Sequence, residues 1–442
     1  MPLSLLAGWL ALSDQAFYQR AFTPLITLWY LVYQRLSAKH TLSQVVVDAL
    51  NGGADRLSCR GKPLSSQLQS QATTSFSDAR QRLPLGIVQR ALRHIGSQLD
   101  TTLQAPRFRG LKLGGLDGST LRLRPLGDIP QAFPPHRSGG CLKLPYWCVA
   151  RVVGIFCLGT GMVIDTAMAS PKHSEQNLCT RLFEQLWQGW LILADRNFGI
   201  YSVVAGARAA QAHLLVRLTR ARAASLARRA GLVLRPGLNA PIAWRPTGRD
   251  HLPPGLEPKP IEGRLLAATV RRKGFPAMQL YLFTTLSDQT LGLQELVSLY
   301  ARRWNVELYF RYLKTQMELE FLQCQSVQMA QKEWWAGLIA YDLIRWTMGA
   351  AAALHSVPLE QLSFSKAREF LLAWLGRWAE HRPTNPSWAR LLVQLATARL
   401  PRRKRQRPSE PRAVRAFKRD VPILRGPRAQ ARLELAAAHA KS

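Results

Sequence analysis

Acidic side chains are scarce in this chain. Its 442 residues carry 60 Lys and Arg against 27 Asp and Glu, a formal charge of +33. Such an imbalance sets up a strong positive field and calls for a polyanionic partner, either nucleic acid or an anionic membrane surface. Long hydrophobic runs are lacking too. No stretch reaches about 18 uninterrupted apolar residues, so no transmembrane helix and no membrane partner are expected. The nearest candidate, "WWAGLIAYDLIRWTMGAAAALHSV" from Trp334, contains Asp342 and Arg345 and reads as a buried helix. The opening "MPLSLLAGWLALSDQAF" has no basic residue ahead of its apolar run, which argues against a signal peptide. Paired cysteines are also missing. The six cysteines (59, 141, 148, 157, 179 and 324) make no C-x-x-C and no zinc spacing. Reduced core cysteines of a cytoplasmic protein are expected instead. Nucleic acid is the partner left.

What is present is enough hydrophobic residue, 47% of the chain, for two or three domains with proper cores. Residues 1–105 read as a helical N-terminal domain. Pro84 opens "PLGIVQRALRHIGSQL", whose Ile87, Val88, Ala91, Leu92 and Ile95 recur at helical spacing with Arg90, Arg93 and His94 among them. A DNA-binding helix and a merely solvated basic face both fit. From about 107 the period changes to that of strands. "LKLGGLDGSTLRLRPL" alternates and holds Asp-Gly, a strand-turn-strand pattern. Two buried strands follow within 145–170, then a helix capped by Ser174, a central strand "GWLILADRNF" ending at Asp195, a helix, and the strand "HLLVRLT". The order predicts a mixed α/β layer fold over 106–218. Residues 219–288 read as a β-rich insertion with a hairpin around Lys273–Pro276. A long helix about 290–316 anchors the segment 289–328, and a helical region spans 329–398. The tail 399–442 reads as a basic, disordered arm suited to phosphates.

Three carboxylates stand out. The stretch "YARRWNVELYFRYLK" (300–314) sets Glu307 alone among basic residues. At about 100° per residue, Tyr300, Arg303, Glu307 and Lys314 fall within an arc of about 60°. Leu293, Leu296, Trp304, Leu308, Phe310 and Leu313 make much of the remaining surface apolar, so the helix is expected to be largely buried. Glu307 then either pairs with Arg303 and Arg311 at i−4 and i+4 or binds something stronger. Asp117 in "GLDGST" is a hairpin-turn residue or a ligand at a strand end. Asp195 in "LADRNFG" is a cap or a ligand. If the three meet at one edge of the sheet, they are hard oxygen donors that select Mg²⁺ or Mn²⁺ over zinc. In so basic a protein such a site suggests two-metal phosphodiester chemistry.

These residues resemble a known family, the DDE transposases of bacterial insertion sequences, in the insertion-sequence-four group. Its signature Y-x2-R-x3-E-x6-K is met at every interval by Tyr300, Arg303, Glu307 and Lys314. "LDGSTLR" resembles the family's first Asp segment, "LADRNFG" its second, and "LYLFTTL" the strand before the signature helix. The resemblance implies an RNase H-like catalytic core carrying the β-rich insertion, with helical flanks. It implies Asp117, Asp195 and Glu307 as catalytic ligands of two Mg²⁺ ions, with Mn²⁺ as substitute. Tyr300, Arg303 and Lys314 become contacts to DNA. The partners implied are double-stranded DNA, as transposon ends and target, and a second copy of the chain, since two ends must be joined. The implied place is the bacterial cytoplasm, at the nucleoid. Some members stack a flipped base on a Trp of the insertion; here Tyr281 or Trp244 stands nearest that role. Two other readings stay open: an RNase H-like nuclease or resolvase without strand transfer, and a non-catalytic DNA-binding relative.

Overall fold

Among the described residues up to Thr102 there are six α-helices, as their apolar spacing requires. In the computed structural model these are α1 (Leu3–Ala11), α2 (Pro24–Leu36), α3 (Leu42–Leu50), α4 (Leu64–Gln67), α5 (Thr74–Arg82) and α6 (Leu85–Thr102). The structure describes residues 3–11, 21–37, 41–58, 62–135, 146–185, 187–248, 250, 252, 255–272, 275–380, 385–400 and 427–440. Cys59, Cys141 and the hairpin tip 273–274 lie outside them. The four described cysteines are free and buried. Local chemistry sets the helix starts: Thr23 accepts from the Ile26 amide with Pro24 at the first helical position, and Pro84 opens α6. Of the basic residues of α6, Arg93 pairs with Asp165 at 3.1 Å and His94 meets the Trp9 ring edge-on, so this face is partly spent on the fold.

The strands β1 (Lys112–Leu123), β2 (Cys148–Cys157), β3 (Val163–Ala169), β4 (Trp190–Ala194), β5 (His213–Arg217), β6 (Asn239–Trp244), β7 (Ile261–Arg272), β8 (Phe275–Thr284) and β9 (Phe321–Leu322) join in one sheet. Their order is β3-β2-β1-β4-β5-β8-β7-β6, with β9 against the end of β1. The first five strands, with β2 antiparallel to its neighbours and β1, β4 and β5 parallel, form an RNase H-like core. Helices α7 (Ile129–Ala132), α8 (Glu175–Leu182), α9 (Tyr201–Ala209), α10 (Arg220–Arg229), α11 (Leu293–Ala301), α12 (Asn305–Arg311), α13 (Val327–Leu354), α14 (Phe364–Glu380), α15 (Asn385–Thr397) and α16 (Arg428–Ala440) complete the fold. Ser174 caps α8 by accepting from the Asn177 amide, as its position predicts.

Strand alternation sorts the core into two layers. Leu113, Leu121, Leu123, Leu191 and Leu193 face the α11–α13 side, while Leu116, Ile192, Ala194 and Val216 face α8–α10. Helix α13 is buried along most of its length, as its sequence suggests. Its Asp342 accepts from the Val163 amide and its Arg345 donates twice to the Thr160 carbonyl. No helix among the described residues is long and apolar enough to cross a membrane.

Three local expectations are corrected. The Asp-Gly of "LDGST" makes no turn: β1 runs straight through it, paired with β2 on one side and with β4 and then β9 on the other. Sheet pairing on both edges overrides the local turn preference. Residues 220–229 form helix α10, capped by Thr219 and built on Ala, Leu and Arg, which favour helix. The strands of the β-rich insertion join the core, because β8 pairs antiparallel with β5 and extends the core sheet. In the tail, α16 is helical, whereas a disordered arm was expected.

Candidate active site

Two parallel strands set the first half of the site. The β1–β4 register ends at Leu116 opposite Ala194, so the next residues, Asp117 and Asp195, stand side by side. Adjacent strands are about 4.8 Å apart. By alternation both acids point to the α11–α13 face, the face of Leu113 and Leu193. Asp117 is therefore in the middle of β1, not at its end; the strand that ends there is the shorter β4. Asp195 also accepts from the Arg196 amide at 2.6 Å and starts a 3-10 turn.

Helix α12 brings the third acid. It comes close to β1 because residue 115 has no side chain: a Cβ there would lie 2.3 Å from Val306 Cγ2 and 2.7 Å from Leu158 Cδ2. The expected long helix is interrupted. A 3-10 turn at Arg302–Trp304 joins α11 to α12, and a π turn follows at Tyr312–Gln316. The 3-10 turn turns Trp304 outward, 52% exposed with the Arg303 guanidinium 4.9 Å from its ring, where regular helix predicted an apolar packing residue. The π turn carries Lys314.

Arg303 is the hub. Its side chain is 4% exposed, and it donates through Nη1 to Asp117 Oδ2 at 3.3 Å and through Nη2 to Glu307 Oε1 at 3.1 Å. The i,i+4 ion pair foreseen for Glu307 is thus present, and it reaches across to the sheet. Burial works against the guanidinium's charge, but Tyr300, Asp117, Glu307 and Asp195 outweigh it and hold its pKa above the ordinary value. Burial raises the Asp117 carboxyl to about 6; the Gly118 amide and Arg303 pull it down, and the like charges of Asp195 and Glu175 push it further up. Tyr300 is buried beside Arg303, its hydroxyl without a hydrogen-bond partner among the described residues, and burial raises its pKa.

A cleft of about 360 Å³ opens over these groups, lined among others by Asp117, Ser119, Glu307, Arg311 and Lys314. Lys314 is half-buried, and burial together with Arg122 lowers its pKa against the pull of Glu320. The structure therefore brings Asp117, Arg303 and Glu307 into contact, sets Asp195 and Tyr300 beside them, and puts Lys314 on the cleft wall. Among the described residues no three His, Cys, Asp or Glu side chains converge closely enough to hold an ion as they stand. Arg303 lies between two of the three acids.

Sequence reasoning missed two neighbours. Glu175, in the first turn of α8, comes so close to Gly118 that a Cβ there would meet its carboxyl carbon at 2.5 Å. Asn197, two residues after Asp195, holds that carboxylate at 2.5 Å. The "DRN" after the central strand and the capped start of α8 were the available signals. Trp244 and Tyr281 lie elsewhere. Trp244 is buried between the Tyr201 and Phe283 rings on β6, five strands along the sheet from β1, and Tyr281 packs on the same apolar layer. A larger cleft of about 720 Å³ lies between the N-terminal helices and residues 318–333, and none of the six expected site residues lines it.

The family description "Transposase DDE domain" matches residues 112–343, from β1 into α13, and so takes in all six. The chain is similar to the transposase InsG for insertion sequence element IS4 of Escherichia coli (strain K12). The two are 26% identical over 356 residues, which is 77% of this chain and 73% of the relative. Among solved structures it resembles the piggyBac transposase in a synaptic complex with hairpin DNA, with a TM-score of 0.37 and 10% identity over 89% of this chain and 81% of that one.

Proposed function

The chain belongs to the transposase DDE-domain family, and from that premise we propose that it binds the terminal inverted repeats of its own insertion sequence, cleaves DNA there and joins the freed ends to a target. The observation that carries this reading is the Arg303 contact. Acids from a sheet strand and a helix, far apart in sequence, share one buried cation, and both acids line an open cleft.

The residues fit a pair of divalent ions in three respects. The donors are carboxylate oxygens alone, the set hard cations prefer. Burial, with like charge from Asp195 added, raises the Asp117 carboxyl, and a cation would favour its ionised form. A positive group already occupies the space between Asp117 and Glu307. Asp117, Asp195 and Glu307 would hold the ions, two Mg²⁺ with Mn²⁺ as substitute. Held by these carboxylates, such ions would supply activation of an attacking water or 3′-hydroxyl and stabilisation of the leaving oxygen.

The remaining roles fall to the chain's own groups. Arg311 and Lys314 on the cleft wall suit phosphate oxygens, Arg as a fork and Lys as a point charge. Arg303 bridges Asp117 and Glu307, and a DNA phosphate would reach it and Tyr300 only where this buried cluster opens. The overall charge of +33 supplies sequence-independent attraction to DNA. Two ends have to be held together, so the working unit is a homodimer on DNA.

The test is strand transfer. Linear DNA ending in the inverted repeats that flank this gene is incubated with supercoiled plasmid and Mg²⁺. Joined product is expected. Cleavage without joining would make the protein a nuclease or resolvase, and binding alone would make it a non-catalytic relative.

A further inference from the structure

At the end of β1 beyond the cleft, three aromatic side chains from distant parts of the chain meet on one face of the sheet. Trp147 leads into β2 and Phe321 sits on β9, and their rings meet edge to face across β1 at 5.4 Å. Tyr146 meets Trp147 at 5.4 Å with its ring nearly perpendicular. The Arg122 guanidinium lies 5.0 Å from the Phe321 ring. The face is open: Tyr146 is 68% exposed and Phe321 39% exposed, and both Arg122 and Arg124 are exposed beside them. Large aromatic side chains left in water at this density are uncommon on a surface with no partner.

The patch lies on the α8–α10 side of β1, the side opposite Asp117 by alternation, and reaches the catalytic cleft around the edge of β1. Arg122 pairs with Glu320 at 3.9 Å, and Glu320 lines the cleft together with Asp117 and Lys314. Arg122 is five residues along β1 from Asp117, about 17 Å at the rise of an extended strand. That is the length of about five stacked nucleotides.

We propose that Tyr146, Trp147 and Phe321, with Arg122, form a platform on which unpaired bases of the DNA strand passing through the cleft are stacked. Aromatic faces hold any base, and an interleaved Arg adds cation–π attraction and neutralises the backbone, the combination by which proteins grip single strands. Arg122 and Arg124 are both exposed beside the rings, with Glu320 the acid near Arg122, so the patch carries net positive charge that a nucleic-acid strand matches. This inference rests on the DNA reading above and adds to it a site for the non-duplex part of the substrate.

The experiment compares the full-length protein on two DNAs of the same sequence. One is a blunt duplex; the other is forked, with five unpaired nucleotides carrying 2-aminopurine. Anisotropy reads affinity and the 2-aminopurine emission reads stacking. The wild type should bind the fork more tightly than the blunt duplex and quench the probe. Tyr146→Ala and Phe321→Ala should each weaken fork binding about tenfold, the scale of one lost base stack. They should leave blunt-duplex binding unchanged and release the quenching, and Tyr146→Trp should restore it. Equal losses on both DNAs, or no loss on the fork, would overturn the platform. So would an unaltered fork affinity with a lower oligomeric mass in Tyr146→Ala, which would give the patch to a second copy of the chain. Failure of the wild type to bind either DNA would overturn the DNA reading itself.

Discussion

Replacing Glu333 should undock the N-terminal helices. Arg35 of α2 and Arg80 of α5 both donate to this one carboxylate of α13, at 2.6 and 2.5 Å, and all three side chains are at most 10% exposed. Burial alone would raise the Glu333 carboxyl, but the two guanidinium groups outweigh it and hold it below its ordinary value. An ion pair at about 4 Å is worth about 4 kcal/mol in a partly screened setting, and desolvation of the charges offsets much of that. The asymmetry of removal decides the outcome. Glu333→Gln leaves two buried cations facing each other with Lys332 adjacent, a loss of about 3–5 kcal/mol, which is a large part of the 5–15 kcal/mol that holds a typical domain together. Arg35→Met, Arg80→Met and Glu333→Leu made together remove the three paired charges and should recover most of the stability. The assay is urea unfolding with limited proteolysis between α3 and α6. The sign of the pH dependence follows: Glu333 stabilises fully above its unfolded pKa near 4.5 and less as pH falls through its depressed folded value. A loss under 1 kcal/mol for Glu333→Gln, or a triple variant no better than the single one, would refute the reasoning.

Other expectations follow from the same contacts. Gly115→Ala places a Cβ against Val306 and Leu158 and lifts α12 from β1; it should cost about 1–3 kcal/mol in unfolding but about 100-fold in DNA cleavage, because Glu307 moves with the helix. Lys332, fully buried and donating to the Arg80 and Gln81 carbonyls at the end of α5, has its pKa lowered to about 8 by burial and by Arg80. Between pH 8 and 10.5 the unfolded chain then binds more protons than the folded one, so stability should rise with pH in that window, and Lys332→Met should flatten the rise in a pH series of melts.

Much of the site was legible because its marks are local. Asp195 follows a short apolar strand, Ser174 caps a helix, and the signature intervals around Glu307 depend only on spacing. Asp117 was harder. Asp-Gly is a strong turn signal, and only the pairing of β1 along both edges, with partners far away in the chain, keeps it straight. The joining of the insertion to the core sheet rests likewise on β5 and β8, some 70 residues apart, a contact with no local trace. The outward turn of Trp304 depends on a 3-10 turn inside an otherwise regular helical pattern, and periodicity assumes regular helix. Glu175 reached the site through tertiary packing against Gly118, and no spacing in the sequence ties the two.

The central claim is that Asp117, Asp195 and Glu307 act as one metal-dependent centre on DNA. The most direct measurement is cleavage of DNA carrying the inverted repeats by wild type and by Glu307→Gln, each with Mg²⁺ and with chelator. Nicking at the repeat tips is expected only with wild type and Mg²⁺, and DNA binding by Glu307→Gln within about twofold of wild type, because that binding rests on the many Lys and Arg residues. Cleavage that survives in Glu307→Gln would contradict the central claim, leaving Glu307 as the ion-pair partner of Arg303 and placing the chemistry elsewhere.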